Sequence, residues 1–392
     1  MNWMDTELEL MADASLNRSL RASRSVSGYP GYTVRGEQVL LNMSSNDYLG
    51  LSQHPAILEV MREALLTEGA GSGASRLTTG NGLAYVRLEE ALADWQNCEA
   101  ALVFANGYMA NSGVISTLVG RGDVVFSDQL NHASMVDGIV FSRAEHARYR
   151  HNDLEHLRKL LNNNRDKRRK LIVTDAIFSM DGDRAHLQEL ISLKHEYGAM
   201  LMVDEAHSGG LYGGRGEGLC HELGLQNDVD IHMGTFSKSF GVYGAYICGS
   251  RTLIRWLVNK ARPLIYSTAL PPSIIAGIAK ALVLVKEENW RRERIHLATR
   301  LFRSLLCNSG FKIGAGDSPI VPLIVGDNET ALRFSSALEE EGIAAVAIRP
   351  PTVPEGTARI RFSLSAVHTD KELTHAAVRT HNIGLQLGVL CP

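Results

Sequence analysis

The sequence predicts an α/β fold, in which a large domain with a mostly parallel central sheet flanked by helices precedes a smaller C-terminal α/β domain. From residue 100 onward, short apolar runs alternate with patterns of helical spacing. Such alternation is typical of parallel sheets whose strands are buried on both faces. The chain has 392 residues, more than a single compact core usually accommodates.

The large domain is expected over residues 46–285. Residues 52–69 predict a helix, with Pro55 near its start and Gly69 as its end. Each strand that follows is a continuous apolar run without a period of two, as expected for a fully buried strand. The predicted strands cover residues 100–105, 123–128, 170–178, 199–207, 228–237 and 243–250.

The two ends of the chain are expected to form separate parts. In residues 1–45, apolar residues at roughly helical spacing, from Met4 to Leu20, predict a helix that lies on the main body, followed by a short strand. The C-terminal domain is expected over residues 286–392, and a long charged helix begins it. Further strands are predicted at 318–326, 343–348 and 358–365, with helices at about 328–342 and from about 370.

Composition excludes several classes of function. The formal net charge of −3 offers no basic excess for a phosphate backbone, so nucleic acid is not an expected partner. The one basic run, residues 165–170 ("RDKRRK"), is interpreted as a solvated loop. Five scattered cysteines without a CxxC pair argue against a disulfide framework or a metal site. With no apolar run of membrane-spanning length and no signal-peptide pattern, a soluble cytoplasmic protein is expected.

Polar residues follow three of the predicted strands. Asp204 and His207 end one strand, Lys238 follows another, and His132 follows a third. Ligands of open α/β sheets bind at the carboxyl ends of strands, so these ends are expected to face one site. Most lysines in such a setting have no catalytic role: the aliphatic part of the side chain packs, and the ammonium group reaches solvent. Most isolated histidines are likewise packed in the interior or exposed on the surface. An acid at a neighbouring strand end favours an amine that joins a carbonyl cofactor.

Pyridoxal phosphate fits that combination of residues. A carboxylate such as Asp204 can stabilise its protonated pyridine nitrogen, and an imidazole such as His132 can stack on the ring face. Its phosphate needs donors, and Gly107 and Tyr108 lie at a turn that opens a helix, where free amides suit an anion. The hydroxyl groups of Thr235 and Ser237 are further candidates.

The order of motifs along about 90% of the chain resembles the α-oxoamine synthases, pyridoxal-phosphate enzymes of the aspartate-aminotransferase fold (fold type I). The motifs are "MSSNDYLGL" (43–51), "GSGASRLTTGN" (71–81), "LEEALADW" (88–95), "NHAS" (131–134), "FSMDGD" (178–183), "VDEAHSGGLYGGRGEG" (203–218), "TFSKSFG" (235–241), "RPLIYSTALPPS" (262–273) and "RPPTVPEGTARIRFSLSAVHT" (349–369). Gly209 and Gly210 depart from the Thr-Gly pair that is common in the family.

The resemblance implies a cofactor role for several matched residues. Lys238 would hold pyridoxal phosphate covalently, Asp204 would pair with its ring nitrogen, and His207 would hydrogen-bond the ring oxygen. His132 would stack on the ring, and Ser179 would line the pocket. Gly107, Tyr108 and Thr235 would hold the phosphate.

Substrate roles are implied in the same way. Arg349 would bind the carboxylate of the amino acid with help from Asn46, and His132 would also meet the substrate. Arg21 and Thr352 would contact the acyl substrate. Residues 265–269 are expected to reach a partner subunit's phosphate, because sites of this family lie at a homodimer interface.

The implied activity is a decarboxylative condensation of L-alanine with a pimeloyl thioester of coenzyme A or acyl carrier protein. The product would be 8-amino-7-oxononanoate, an intermediate of biotin synthesis. Sister activities of the family stay open: 2-amino-3-ketobutyrate coenzyme A ligase, 5-aminolevulinate synthase and serine palmitoyltransferase. A non-enzymatic regulator that binds pyridoxal phosphate is the alternative from another class. The "DEAH" at 204–207 does not indicate a helicase, since no phosphate-binding GxxxxGK[ST] accompanies it.

Overall fold

The protein is described here by a computed structural model that covers residues 2–390, and it divides into two compact units. The large unit comprises Leu51–Phe178 and Arg184–Arg292. The small unit comprises Met1–Gly50, Ser179–Asp183 and Glu293–Pro392. The predicted division separated the first 45 residues from the C-terminal domain. The structure groups these two parts together because strands from both ends of the chain pair within the small unit.

The large unit is built on a seven-stranded sheet. Its strand order is β4-β10-β9-β8-β7-β5-β6, and β10 alone runs antiparallel to its neighbours. The mostly parallel sheet predicted from the apolar runs is thereby confirmed. The strands are β4 (Ala100–Phe104), β5 (Val124–Asp128), β6 (Glu145–Tyr149), β7 (Lys170–Asp175), β8 (Met200–Asp204), β9 (Ile231–Thr235) and β10 (Ala245–Gly249).

Helices flank this sheet. Their apolar faces meet the strands in a buried core that includes Val114, Ile139, Val173 and Leu257. None of the helices within residues 2–390 is both long and apolar enough to cross a membrane. The helices are α2 (Pro55–Glu68), α3 (Leu83–Trp95), α4 (Gly107–Leu118), α5 (Ala133–Ser142), α6 (Leu154–Asn163), α7 (Leu187–Tyr197), α8 (Leu219–Glu222), α9 (Arg251–Lys260), α10 (Arg262–Ile265) and α11 (Pro272–Glu287).

The edge strand β6 was not predicted from the sequence. Its residues, "EHARY", alternate between exposed and buried positions instead of forming a continuous apolar run. An edge strand has one neighbour in the sheet, here β5, and one side open, so polar residues are tolerated in it. By contrast, the prediction for α2 is confirmed at both ends, with Pro55 in its first turn and Gly69 as its C-cap.

The small unit holds two further sheets. One has the order β1-β2-β3-β12, in which β12 joins β3 in parallel, and the other has the order β11-β14-β13. The predicted C-terminal strands and helices are present. The elements are α1 (Asn2–Asp13), β1 (Arg24–Val26), β2 (Tyr29–Arg35), β3 (Gln38–Asn42), β11 (Ile320–Gly326), α13 (Asn328–Glu340), β12 (Ile343–Ala344), β13 (Val346–Ile348), β14 (Ala358–Ser363) and α14 (Asp370–Gln386), with α12 (Asn289–Asn308) beginning in the large unit and continuing here.

The N-terminal helix differs from the prediction. It ends at Asp13, so Leu16 and Leu20 lie outside it, and every residue from Trp3 to Ala14 is exposed. The expectation that it lies on the main body is therefore wrong for this chain by itself. The helical spacing of the apolar residues indicated a helix, but it could not indicate what covers its apolar face.

Candidate active site

The carboxyl edge of the large sheet brings together the polar residues predicted at the strand ends. Asp204 is the last residue of β8, and Lys238 follows β9 by three residues. The Nζ atom of Lys238 lies 2.9 Å from Nε2 of His207. Lys238 is half-buried, whereas Asp204 and His207 are each 4% exposed. An amine, an imidazole and a carboxylate therefore lie at one edge of one unit.

Asp204 is held by two donors. The amide Nδ2 of Asn111 donates to Oδ2 at 2.8 Å, and the backbone N–H of Ala206 donates to Oδ1 at 2.9 Å. These two hydrogen bonds fix the orientation of the buried carboxyl group. Asn111 projects from α4, so the helix orients the acid that ends β8.

The same amide also reaches the histidine that was predicted to stack on the cofactor. Nδ2 of Asn111 donates to Oγ of Ser134 at 2.9 Å, and that hydroxyl lies 2.7 Å from Nδ1 of His132. His132 is the N-cap of α5, and its Nδ1 accepts the N–H of Ser134. Since Nδ1 accepts, the neutral ring carries its proton on Nε2. Desolvation lowers the pKa of His132, and the charge of Asp204 opposes that shift.

A second carboxylate lies beside Asp204. Asp175 ends β7 directly opposite Asp204 in the sheet register, and its Oδ2 accepts the backbone N–H of His132 at 2.9 Å. Burial and the charge of Asp204 raise the pKa of Asp175 well above its ordinary value. The two buried carboxyl groups lie side by side at this strand end, and the proximity of Asp204 disfavours ionisation of Asp175.

The N-terminus of α4 offers donors for an anion. The side chain of Asn106, the N-cap, accepts the N–H of Met109 at 2.9 Å. The N–H groups of Gly107 and Tyr108 are the first two of the helix, and within residues 2–390 they have no acceptor. The hydroxyl of Thr235 donates to the carbonyl of Gly244 at 2.9 Å, so it is already engaged within the β9–β10 turn.

This set of groups fits pyridoxal phosphate. Lys238 supplies an amine for the aldehyde, Asp204 supplies a charge for the pyridine nitrogen, and the open amides of α4 supply donors for a phosphate. Asn111 belongs to the same group of residues, and its buried Oδ1 atom has no hydrogen-bond partner among residues 2–390. All these residues belong to the large unit.

Other predicted residues lie in the small unit, where Arg361 joins two of them. Its Nε donates to the carbonyl of Ser179 at 2.6 Å, and its Nη2 donates to Oδ1 of Asn46 at 3.2 Å. The third guanidinium nitrogen donates to Oγ of Ser363 at 2.7 Å. Arg361 is buried, so this arginine fixes the positions of Asn46 and Ser179.

Three predicted substrate residues have protein partners of their own. Arg349 donates to the carbonyl groups of Ser15 and Asn17, and its Nε is buried without an acceptor. Arg21 forms a 2.5 Å ion pair with Glu339, and Thr352 accepts a hydrogen bond from Arg18 at 3.0 Å. Their substrate roles stay predictions.

One cluster has the composition of a metal site. Ligand-type atoms of Glu205, Cys220 and His232 lie within 4.8 Å of one another, and all three residues are buried. The Glu205 carboxylate already accepts the N–H of Cys220 at 3.0 Å and a hydrogen bond from Ser208 at 3.2 Å, and it pairs with His232 at 3.3 Å. These protein partners make the cluster a satisfied ion pair.

Sequence reasoning missed four residues of the site: Asn111, Ser134, Asp175 and Arg361. Asp175 ends a predicted strand, so the rule that found Asp204 could have found it. Asn111 and Arg361 gave no such signal, because their partners lie 93 and 315 residues away in sequence.

Comparison with known proteins places the chain in a family. A family model described as aminotransferase class I and II matches residues 38–379. A protein of Geobacillus kaustophilus is 51% identical over 352 residues, which cover 90% of each chain. A protein of Bacillus cereus is 48% identical over 381 residues, covering 97% of this chain and 96% of the relative. Both carry the provisional name 8-amino-7-oxononanoate synthase.

Solved structures agree on the fold. A serine palmitoyltransferase of Sphingomonas wittichii superposes with a TM-score of 0.93 at 31% identity, covering 100% of this chain and 98% of that chain. A serine palmitoyltransferase of S. paucimobilis, with pyridoxal phosphate and myriocin bound, gives 0.94 at 32% identity, covering 99% and 98%. The 8-amino-7-oxononanoate synthase of Francisella tularensis gives 0.78 at 27% identity, covering 90% and 99%. The chain belongs to the class I and II aminotransferase family, and within it to the α-oxoamine synthases, which are pyridoxal-phosphate-dependent acyltransferases.

Proposed function

We propose that the protein condenses L-alanine with a pimeloyl thioester, releasing carbon dioxide and the thiol carrier and giving 8-amino-7-oxononanoate for biotin synthesis. The observation that carries the chemistry is the 2.9 Å approach of the Lys238 amine to His207, at the sheet edge that also holds buried Asp204. The choice of substrates is supported by relatives of about 50% identity that bear the corresponding provisional name.

The arrangement in the large unit supports most of the proposed cofactor residues. Lys238 holds pyridoxal phosphate covalently, Asp204 pairs with its ring nitrogen, and His132 stacks on its ring. The amides of Gly107 and Tyr108 hold the phosphate. His207, Thr235 and Ser179 complete the predicted set, although the hydroxyl of Thr235 would first have to leave the carbonyl of Gly244.

When bound, pyridoxal phosphate supplies an electron sink that makes the Cα–H bond of the amino acid acidic. Once the amino acid has taken its place on the cofactor, the freed amine of Lys238 would accept that proton at Nζ and later return it to the product. His207, whose Nε2 lies 2.9 Å away, would hold this nitrogen in position by a hydrogen bond. Asn111 and Ala206 donate to both oxygens of Asp204, and these hydrogen bonds would orient the carboxyl group toward the ring nitrogen of the cofactor.

The substrate groups are assigned to residues of the small unit. Arg349 and Asn46 bind the amino-acid carboxylate, because a guanidinium can donate two parallel hydrogen bonds to it. Arg21 and Thr352 contact the acyl thioester. Arg349 would exchange the carbonyl groups of Ser15 and Asn17 for the substrate carboxylate, which is a stronger acceptor.

A sister activity is the second candidate. Solved serine palmitoyltransferases superpose with TM-scores of 0.93 and 0.94, whereas the 8-amino-7-oxononanoate synthase structure reaches 0.78. Sequence identity argues against a sister activity. The chain is about 32% identical to the S. paucimobilis structure, whereas it is 51% identical to the provisionally named relative of Geobacillus kaustophilus. The likeness in shape therefore supports the shared fold, and the sequence identity supports the choice of L-alanine.

A steady-state assay decides between the candidates. Release of carbon dioxide is measured from L-alanine, glycine and L-serine, each with pimeloyl, acetyl, succinyl and palmitoyl coenzyme A, and L-alanine is also assayed with pimeloyl acyl carrier protein. The proposal expects kcat/KM for L-alanine with pimeloyl thioester to exceed every other pair by at least about tenfold, which is a difference of about 1.4 kcal/mol in transition-state binding. Preference for L-serine with palmitoyl thioester, or for glycine, would move the assignment to a sister enzyme. No turnover of any pair, with the cofactor bound, would favour a regulator.

Assembly and location belong to the same proposal. We infer a homodimer, with coenzyme A or acyl carrier protein delivering the acyl group. The fully exposed α1, which presents Trp3, Leu8 and Leu10 to solvent, supports a covering second copy. Sedimentation equilibrium should give the mass of two chains.

A cytoplasmic location is supported by the free thiols of Cys98, Cys220, Cys248 and Cys307, while Cys391 lies outside the described residues.

A further inference from the structure

A cavity of about 480 Å³ lies in the large unit at the amino edge of the seven-stranded sheet. It is lined by Lys170 and Met200, which begin β7 and β8. Asp175 and Asp204 end the same two strands at the candidate active site. At about 3.3 Å per residue, strands of this length separate their two ends by roughly 15 Å. The cavity is therefore separate from the active site.

One side of the cavity carries three consecutive cations, Arg168, Arg169 and Lys170. Arg168 donates to both oxygens of buried Asp123, at 2.9 and 3.0 Å, while the nearest Asp123 oxygen to Arg169 is 3.9 Å away. Among residues 2–390, Lys170 donates only to the backbone carbonyl groups of residues 165 and 167, and Arg169 donates to the backbone carbonyl of Leu118 at 3.2 Å. Across the described residues, Asp123 is the one carboxylate paired with these three cations, so the wall keeps an excess of positive charge.

The lining also has an apolar part, formed by Leu118, Met200, Leu253 and Trp256. The indole Nε1 of Trp256 donates to the carbonyl of Thr117 at 3.1 Å, which orients the ring, and the residue is still 44% exposed. Trp256 therefore adds a large, fixed apolar group to the lining.

We propose that this cavity binds a small organic anion with an apolar body. A carboxylate or phosphate group would meet Arg169 and Lys170, whose donors lack carboxylate partners within hydrogen-bonding distance, and the apolar body would lie against Trp256, Leu253 and Met200. A volume of about 480 Å³ falls within the range of about 300–1,000 Å³ that is typical of small-molecule sites. The basic run at 165–170, interpreted from sequence as a solvated loop, thereby gains a binding role in its second half.

The test uses the purified enzyme with its cofactor bound and octanoate as the probe, titrated by calorimetry. One site per chain is expected. Octyltrimethylammonium, with the opposite charge, and inorganic phosphate, without an apolar body, should each bind at least about tenfold more weakly. Arg169→Glu should weaken octanoate binding by about tenfold or more, because it places a like charge beside the probe. Leu253→Glu should weaken octanoate binding by a similar factor, because it places a negative charge in the apolar part of the lining.

Arg165→Glu is the matched control, since it makes the same charge change in the same basic run but outside the cavity lining. Octanoate affinity in this variant should stay within about twofold of the wild type. The proposal fails if Arg169→Glu and Arg165→Glu have equal effects, if the cationic probe binds as well as octanoate, or if no saturation is seen up to about 10 mM. Because the readout is binding and both arginine variants are expected to keep full turnover, this result is independent of the proposed reaction.

Discussion

Asn111 is the residue that connects the parts of the candidate site. One amide nitrogen donates to Asp204 at 2.8 Å and to Ser134 at 2.9 Å, and Ser134 in turn meets His132. Asp204 and His132, the proposed partners of the ring nitrogen and of the ring face, are thus oriented by the same side chain. Asn111 is a positioning residue, since its contacts act through Asp204 and His132.

Replacing Asn111 with Ala should lower kcat by about tenfold or more. Asp204 would lose a neutral donor to a buried charge, and such a hydrogen bond contributes about 1.5–3 kcal/mol. Asn111→Asp should lose more, because it brings a like charge beside Asp204.

Turnover and the pH dependence of the cofactor absorption spectrum are measured together. Asn259→Ala, at an exposed amide on α9 that donates to the carbonyl of Arg255, is the control and should behave as wild type. An unchanged spectrum in Asn111→Asp would remove the positioning role.

In the proposed mechanism, the reaction depends on Lys238. Lys238→Ala should abolish the visible absorption of lysine-bound cofactor and reduce turnover by about a thousandfold or more, since the covalent anchor and the proton acceptor are both removed. Lys159→Ala, at an exposed position in α6, should leave both measurements unchanged. If Lys238→Ala retained the wild-type spectrum, the amine would not be the attachment point.

The proposed role of Arg349 in binding the amino-acid carboxylate can be tested by comparing the effects of its replacement on KM and on kcat. Arg349→Lys keeps the charge but loses the planar pair of donors, so the KM for L-alanine should rise by about tenfold while kcat falls less. The KM for the acyl thioester should change little. A change confined to the thioester KM would place Arg349 in the acyl subsite instead.

At the scale of elements, the segment after β8 is joined to β9 by a buried contact between a carboxylate and an imidazole. Nε2 of His232, on β9, lies 2.9 Å from the carbonyl oxygen of Gln226, and its Nδ1 lies 3.3 Å from Oε2 of Glu205. Both partners of the ring are hydrogen-bond acceptors. Burial alone would raise the pKa of Glu205, but the hydrogen bond and charge of His232 outweigh it and lower that pKa. Glu205 directly follows Asp204, and the pair therefore supports the strand end that carries the acid.

His232→Phe should lower the free energy of unfolding by about 2–3 kcal/mol, because it leaves the buried Glu205 carboxylate without the hydrogen bond from His232. Urea unfolding followed by circular dichroism measures the loss. His195→Phe is the control: its ion pair with Asp228, at 3.2 Å, is exposed, so the loss should stay below about 1 kcal/mol. The double replacement Glu205→Gln with His232→Phe should recover part of the stability. Equal losses in the two single variants would contradict the buried pair.

At the scale of the whole molecule, His368 couples folding to pH. It is 1% exposed, its Nδ1 accepts the N–H of Ser365 at 3.2 Å, and its Nε2 donates to the carbonyl of Asn42 at 3.2 Å. Burial lowers the pKa of His368 from 6.5 to about 4. The neutral ring thereby joins the segment after β14 to the end of β3.

Stability should therefore fall as the pH drops from about 6.5 to about 4. In this window the unfolded chain binds a proton at His368 and the folded chain does not, so unfolding is favoured by up to about 3 kcal/mol at the lower limit. His368→Asn keeps an acceptor for Ser365 and should flatten this part of the profile, although it lowers stability at neutral pH. Exposed His375→Asn should leave the profile unchanged, and a profile of His368→Asn parallel to wild type would exclude the coupling.

Most of the fold was predictable from local pattern. Continuous apolar runs indicated β4, β5, β7, β8, β9 and β10, because strands buried on both faces admit few polar residues. The strand-end rule then placed Asp204 and Lys238 at one edge, since the carboxyl ends of neighbouring parallel strands meet there. The edge strand β6 escaped prediction, because its pairing with β5 tolerates a polar sequence that has no strand signal of its own.

The sequence by itself therefore determined the α/β class, the family and the amine and acid at the strand ends. Periodicity, composition and local sequence motifs carry that information. Only the tertiary structure decided that Asn111 orients both Asp204 and His132, that Arg361 joins Asn46 to Ser179, and that the basic run borders an apolar cavity. These contacts join residues far apart in sequence, and the packing of separate elements brings them within hydrogen-bonding distance. A linear pattern contains no record of which side chains will meet in that way.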